Sequence, residues 1–185
     1  KKEAENWAEI TLKEEEIGSQ DKILAIHPGA SCPSKLWMPE RFAQAAERLA
    51  KKYGFKVLLV AGPKDMPKAK AVEEKMTLPV VNLAGRTSVS QLASILKRCS
   101  LFISNDSGPV HIASAVGCPV ISIFGRNQKG LSPLRWGPVG ERDKFLHKEV
   151  GCVVCLAHNC QRNFACLQAI GVDEVVAAAD EILNR

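Results

Sequence analysis

Short apolar segments recur along this 185-residue chain, and a stretch with helical spacing follows most of them. These segments are KILAIH (22–27), FKVLLVAG (55–62), PVVNLAG (79–85), SLFISND (100–106) and CPVISIFG (118–125). Continuous apolar runs of this length are typical of strands whose two faces are both buried. The alternation of strands and helices therefore predicts an α/β fold, with a Rossmann-like parallel sheet and helices on both of its faces.

The segments between the strands carry helix signals. Pro39 opens a segment with helical apolar spacing that Gly54 closes, and Ser88 and Gln91 have capping-box spacing before another such segment. Further helices are predicted over 66–76, 108–117 and 172–184, and a last strand over 144–150. We expect residues 21–185 to form one domain, since this length and a 46% hydrophobic content suffice for a single core.

Residues 1–20 precede the first strand and are rich in Glu and Lys. Their pattern predicts an amphipathic helix that ends near Gly18, with one face formed by Ala4, Trp7, Ala8 and Ile10. The charged start lacks the apolar stretch of a secretory signal, and no apolar run reaches the roughly 18–20 residues that span a bilayer. A cytoplasmic location is expected.

The formal net charge of +5 suits an anionic ligand or an anionic lipid surface. Basic residues do not form long runs, and aromatic residues make up only 5% of the chain. Proteins that bind nucleic acid use basic patches and aromatic stacking platforms. We therefore expect no nucleic-acid partner.

Polar residues follow the first strand, in the segment HPGASCPSKLW (27–37). Gly29 lets the backbone come close to a ligand, Ser31 supplies a hydroxyl group, and Lys35 supplies a positive charge. An ammonium group with hydroxyls and free amides is suited to a diphosphate. A solvated loop without a ligand is the alternative.

The fourth strand ends in a second candidate segment, SNDSGPVH (104–111). Asp106 and Ser107 precede Gly108, where a helix is predicted to begin, and the free amides of a helix N-terminus attract anions. His111 lies one turn later and can face the same crevice, or it can be structural.

Asp65, after the second strand, is a candidate for the hydroxyls of a ribose, although a surface turn would also explain it. No strand is followed by GxGxxG, and the chain has no P-loop, so the dinucleotide and NTPase classes lack support. Because no carboxylates cluster with metal-ligand spacing at these strand ends, metal-independent binding without a cofactor is expected.

Four cysteines crowd together near the C-terminus, at Cys152, Cys155, Cys160 and Cys166. They could be reduced structural thiols, ligands of a zinc ion with His158 as a substitute, or partners in a disulfide. The spacing leaves these alternatives open, and no metal site is predicted.

Taken together, HPGA…SKLWMPERFA (27–43), AGPKD (61–65) and LAGRTSVSQLASILKRCSLFISNDSGPVHIASAVGCPVISIFG (83–125) resemble glycosyltransferase family 9. This family comprises the ADP-heptose:lipopolysaccharide heptosyltransferases. The HPGA loop and the cysteine pattern are more similar to heptosyltransferase II than to heptosyltransferase I. The resemblance covers about residues 22–185, and its most specific part is the Asn-Asp-Ser-Gly-x-x-His segment after a strand.

The resemblance implies a GT-B glycosyltransferase, of which this chain would be the C-terminal, donor-binding half. Its ligand would be ADP-heptose: Lys35 would neutralise the diphosphate beside Ser31 and the Ser107 and Gly108 amides, and Asp106 and His111 would contact the sugar or phosphates.

The lipid A-core acceptor and the catalytic base would belong to an absent N-terminal domain, with residues 1–20 as the connector. This chain alone would then be inactive, and peripheral contact with the inner membrane is compatible with such an acceptor. Two alternatives remain: a GT-B domain for another nucleotide sugar, such as that of a UDP-sugar transferase or epimerase, and a non-catalytic interaction domain.

Overall fold

The computed structural model describes residues 2–152 and 154–184. Six parallel strands form one sheet in the order β3-β2-β1-β4-β5-β6. The strands are β1 Lys22–His27, β2 Phe55–Leu59, β3 Val80–Asn82, β4 Leu101–Asn105, β5 Val120–Phe124 and β6 Lys144–His147. The helices are α1 Lys2–Glu14, α2 Pro39–Tyr53, α3 Met66–Glu73, α4 Val89–Arg98, α5 Gly108–Ala115, α6 Pro133–Trp136, α7 Ala165–Gln168 and α8 Val172–Leu183. Every predicted strand and helix is present, which confirms the α/β fold.

The ends of two helices follow from local signals. Pro39 occupies the first turn of α2, and the backbone N–H of Gly54 donates to the carbonyl of Ala50 at 2.9 Å to close it. At α4, the Ser88 hydroxyl accepts from the Gln91 amide while the Gln91 side chain accepts from the Ser88 amide. This reciprocal capping box is the one predicted from the Ser-x-x-Gln spacing.

The sheet buries both of its faces. Leu24 and Ile26 of β1 point into the layer that contains α2 and α8, whereas Ile23 and Ala25 point into the layer that contains α1, α4 and α5. Successive residues of a strand face opposite sides of the sheet, so burial on both sides requires an unbroken apolar run. The edge strand β3 is shorter than its predicted segment, since it pairs only with β2 and is half-buried.

The first helix packs against the domain formed by residues 21–185. Ala4, Ala8 and Leu12 of α1 are buried, and the helix packs against α4. The prediction that Ile10 shares this face is wrong, because its side chain is 50% exposed. Residues three or four apart share a helix face, and Ile10 is only two residues from both Ala8 and Leu12. The helix also ends at Glu14 rather than near Gly18.

Across the described ranges, no helix combines the length and the apolar character that a bilayer crossing requires.

The strand order reverses between β1 and β4, whose following connections lead to opposite halves of the sheet. In doubly wound sheets, ligands bind in the crevice beyond the carboxyl ends of the strands at this reversal.

Candidate functional site

Two segments meet at the carboxyl ends of β1 and β4, and Asn105 joins them. Its side-chain amide donates to the carbonyl of Pro28 at 2.8 Å, and its side-chain oxygen accepts from the Trp37 amide at 3.0 Å. Asn105 is fully buried, so these bonds also satisfy a polar group that would be costly to leave unpaired. The loop that carries Lys35 is thereby fixed against the turn that carries Asp106.

Three charged side chains form the centre of the site. The ammonium nitrogen of Lys35 lies 2.8 Å from Oδ2 of Asp106, and Nη2 of Arg126 lies 3.5 Å from the same oxygen. The side chains of Lys35, Asp106 and Arg126 are only 15%, 8% and 9% exposed. Two cations therefore share one carboxylate in a place where little water screens them, which makes this crevice electropositive.

A neutral histidine supports the start of α5. Nδ1 of His27 lies 3.2 Å from the Ser107 hydroxyl and 3.1 Å from that of Ser104. Burial lowers the pKa of His27 to about 4, against the opposing effect of the nearby Asp65 carboxylate. The ring is therefore neutral near pH 7 and can accept a hydrogen bond from a serine hydroxyl, which orients Ser107 immediately before Gly108.

The buried His27 predicts a pH-dependent stability. The unfolded chain binds this proton near pH 6.5 and the folded chain only near pH 4. The free energy of unfolding is therefore at its full value above pH 6.5 and should fall by about 3 kcal/mol as the pH drops to 4. Urea unfolding at a series of pH values should show this loss, and His27→Asn should reduce the slope in this window. His158→Asn, at an exposed histidine, is the matched control, and an equal change in both variants would contradict the assignment.

Asp65 lies beneath the 27–37 loop. Its carboxylate forms an ion pair with Lys68, which also donates to the carbonyl of Ala30 at 3.1 Å. A Cβ atom on Gly29 would lie 2.5 Å from this carboxylate, so the space that Gly29 leaves is taken by Asp65. The contact with a ribose stays a prediction.

The predicted residues are only partly brought together. Lys35, Asp106 and the Ser107–Gly108 turn converge on one point, whereas Ser31 is exposed on the loop. His111 is also exposed, and its ring centroid lies 6.4 Å from that of Trp136 at the end of α6. The side chains of Ser31 and His111 are therefore accessible to solvent, outside the buried cluster of Lys35 and Asp106.

Sequence reasoning missed Arg126 and the role of His27. Arg126 follows the last strand residue of β5 by two positions, and the run Phe-Gly-Arg at a strand end was a signal available in the sequence. Gly125 has no room for a side chain, since a Cβ atom there would overlap the backbone carbonyl oxygen of Ser34. This close approach holds the turn that bears Lys35 against the segment that bears Arg126.

Two hollows flank the cluster. One of about 440 Å³ lies beyond β2 and β3, next to Asp65, and is lined by Met66, Pro67, Lys70, Glu73, Asn82 and Ala84. The other, of about 510 Å³, lies beyond β5 and β6 and includes the four C-terminal cysteines among its lining residues. None of the seven predicted donor-site residues is among the lining residues of either hollow.

The cysteines are all free thiols. Cys166 donates to the carbonyl of Gly125 at 2.7 Å, and burial raises the pKa of Cys166. Within residues 2–152 and 154–184, no three His, Cys, Asp or Glu side chains are arranged to hold a metal ion.

A doubly wound parallel sheet with two buried cations at its reversal point defines an α/β domain suited to an anionic ligand such as a nucleotide. The sequence profile of glycosyltransferase family 9 (heptosyltransferase) matches residues 2–165, and the chain belongs to this family. The resemblance stated from the motifs is thus confirmed.

Curated relatives are lipopolysaccharide heptosyltransferases. The chain is 30% identical over 181 residues to lipopolysaccharide heptosyltransferase 3 of Escherichia coli K12, covering 96% of this chain and 51% of the relative. It is 27% identical to lipooligosaccharide heptosyltransferase 2 of Campylobacter jejuni serotype O:2, covering 89% of this chain and 52% of the relative. The chain thus spans about half the length of these relatives.

Solved structures share the fold. The family 9 glycosyltransferase of Veillonella parvula matches with a TM-score of 0.83 and 26% identity, covering 98% of this chain and 52% of that one. The ADP-heptose lipopolysaccharide heptosyltransferase II of E. coli matches with a TM-score of 0.80 and 21% identity, covering 100% and 52%. These matches confirm the predicted Rossmann-like fold of a GT-B glycosyltransferase domain, and the chain covers about half of each matched structure.

Proposed function

We propose that this chain binds ADP-heptose as the donor half of a glycosyltransferase that transfers heptose to the lipopolysaccharide inner core. The observation that carries the proposal is the buried pair of cations, Lys35 and Arg126, around Asp106 at the reversal point of the sheet. A nucleoside diphosphate has several negative charges, and buried charges in proteins are paired. Family membership and the names of the relatives make a sugar nucleotide the fitting ligand.

The site suggests an orientation for the donor. The diphosphate would lie between Lys35 and the amides at the start of α5, with the Ser31 hydroxyl beside it. The ribose would lie near Asp65, and the base would enter the 440 Å³ hollow between Met66 and Ala84. The sugar would then point toward the exposed His111, on the open side of the crevice.

Transfer of the sugar requires that the leaving nucleoside diphosphate be stabilised. Cleavage of the bond between sugar and diphosphate leaves charge on the nucleoside diphosphate, and cations and amides already in place stabilise that charge without rearrangement. Lys35 and the Ser107–Gly108 turn fill this role in the proposal, with no metal or cofactor. His27 keeps Ser107 in position and, being neutral, adds no charge of its own.

Transfer also needs a base within hydrogen-bond reach of the acceptor hydroxyl. The chain spans about half the length of its relatives. We therefore assign this base to an N-terminal acceptor domain, which would also bind the lipid A-core acceptor. Residues 1–20 would connect the two domains. The proposal expects donor binding by this chain without transfer, in the cytoplasm and in peripheral contact with the inner membrane where the acceptor lies.

Isothermal titration calorimetry with ADP, and with UDP as the matched control, tests the proposal. We expect saturable binding of ADP and at least about tenfold weaker binding of UDP, since the two differ only in the base. Equal affinities would favour the alternative of another nucleotide sugar. A folded chain that bound neither nucleotide would contradict a donor site contained in this half and favour an interaction domain.

A further inference from the structure

Arg126 is buried in the site but incompletely paired. Its residue exposure is 8%, and its Nε atom is fully buried without a hydrogen-bond partner. Nη2 lies 3.5 Å from Oδ2 of Asp106, whereas Lys35 reaches the same oxygen at 2.8 Å. Charge-assisted hydrogen bonds between nitrogen and oxygen are normally about 2.7–2.9 Å long. Lys35 therefore holds the carboxylate closely, and Arg126 does not.

The charges of this cluster do not balance. Lys35 and Arg126 carry two positive charges, and Asp106 supplies one negative charge. A buried cation without a partner is costly, and a buried donor left without an acceptor adds to that cost. A guanidinium group has five N–H donors in a planar fork, of which Asp106 can use only a few. The cluster therefore has both the charge and the donors for a further anion.

We infer that Arg126 is a second cationic binding residue for the diphosphate of the donor. The inference rests on the proposed function and adds a residue to its site. The planar fork of Arg126 would bind two phosphate oxygens while Lys35 neutralises the same group from the β1 side. Asp106 holds both cations in the unliganded chain and shares them with the diphosphate in the complex.

The positions of the two cations are fixed by the backbone. Arg126 lies beyond the carboxyl end of β5, and Lys35 lies in the turn whose Ser34 carbonyl packs directly against Gly125. The strands β1, β4 and β5 are neighbours in the sheet, so their ends present Lys35, Asp106 and Arg126 side by side. A binding site on rigid strand ends loses little entropy when the ligand arrives.

Arg126→Met and Arg126→Lys test this inference, with Arg135→Met as the control at an exposed arginine of α6. Calorimetry would use ADP, adenosine and inorganic pyrophosphate with each variant. We expect Arg126→Met to bind ADP about tenfold or more weakly and to bind adenosine unchanged. Arg126→Lys, which keeps the charge but loses the fork, should lie between the wild type and Arg126→Met. Pyrophosphate should raise the Tm of the wild type and of Arg135→Met, and raise that of Arg126→Met less.

An arginine with only a structural role would give a different result. Arg126→Met would then lower the Tm without changing the ratio of ADP to adenosine affinity, and that outcome overturns the inference. If Arg126→Met does not fold, the same ratio measured in Arg126→Lys decides. Failure of the proposed function is distinguishable, because it would appear in the wild type itself, either as equal affinity for ADP and UDP or as binding of neither nucleotide, whatever the variants do.

Discussion

Lys35→Met is expected to weaken the binding of ADP by about two orders of magnitude, equivalent to about 2–3 kcal/mol. Lys35 brings a positive charge to within 2.8 Å of Asp106 in a site with little water, and its side chain is 15% exposed. Methionine is nearly as long as lysine, but its side chain is apolar and uncharged and cannot neutralise a phosphate. Asp106 keeps Arg126 as a partner in this variant, so the fold should persist. Calorimetry with ADP and with adenosine measures the effect.

Lys51→Met is the matched control for this prediction, because Lys51 is an exposed lysine in the last turn of α2. It should bind ADP as the wild type does. Adenosine, which lacks the diphosphate, should bind to Lys35→Met and to the wild type with equal affinity. Unchanged ADP binding in a folded Lys35→Met chain would remove the phosphate assignment and favour a non-catalytic interaction domain.

Trp37→Ala is expected to lower the free energy of unfolding by about 3–5 kcal/mol. Trp37 is 2% exposed, and its ring packs edge-on against Phe42, with centroids 4.9 Å apart. Its indole N–H donates to the carbonyl of Ile170 at 3.0 Å. The substitution leaves a cavity between α2 and the segment before α8 and removes this bond. Urea unfolding followed by circular dichroism measures the loss, which is large beside the roughly 5–15 kcal/mol that holds a typical domain together.

Trp136→Ala serves as the control for Trp37→Ala. Trp136 lies at the end of α6, is 43% exposed and donates to the carbonyl of Gly130 at 2.8 Å. Its removal should cost less than about 1 kcal/mol, since little buried volume is lost. Equal losses in the two variants would show that Trp37 does not anchor the core as its burial and contacts indicate.

The secondary structure was predictable because its signals are local. The strand β4 is an unbroken apolar run, and both features of the α4 capping box lie within Ser88–Gln91. The error at Ile10 has the same origin: the apolar residues of α1 permit more than one face, and only packing against α4 selects between them. Local periodicity cannot decide which face a neighbouring element covers.

The sequence indicated individual residues of the candidate site but not the contacts between them. Lys35 and Asp106 were recognised because each follows a strand with glycine, serine or proline nearby, as ligand-binding turns do. Their 2.8 Å contact depends on β1 and β4 being neighbours, which the strand order decides. The ion pair of Asp65 with Lys68 and the neutral state of His27 likewise depend on burial and proximity, which no motif records.

The sequence alone determined the fold class, the strands, the family and the helices other than the short α6 and α7, because periodicity, caps and motifs are properties of neighbouring residues. Only the tertiary structure decided that Arg126 joins Lys35 at Asp106 and that the cysteines line a separate cavity. Residues from different strand ends meet only when the sheet places those strands side by side. Burial then keeps His27 neutral and determines which hydrogen bonds its ring can form.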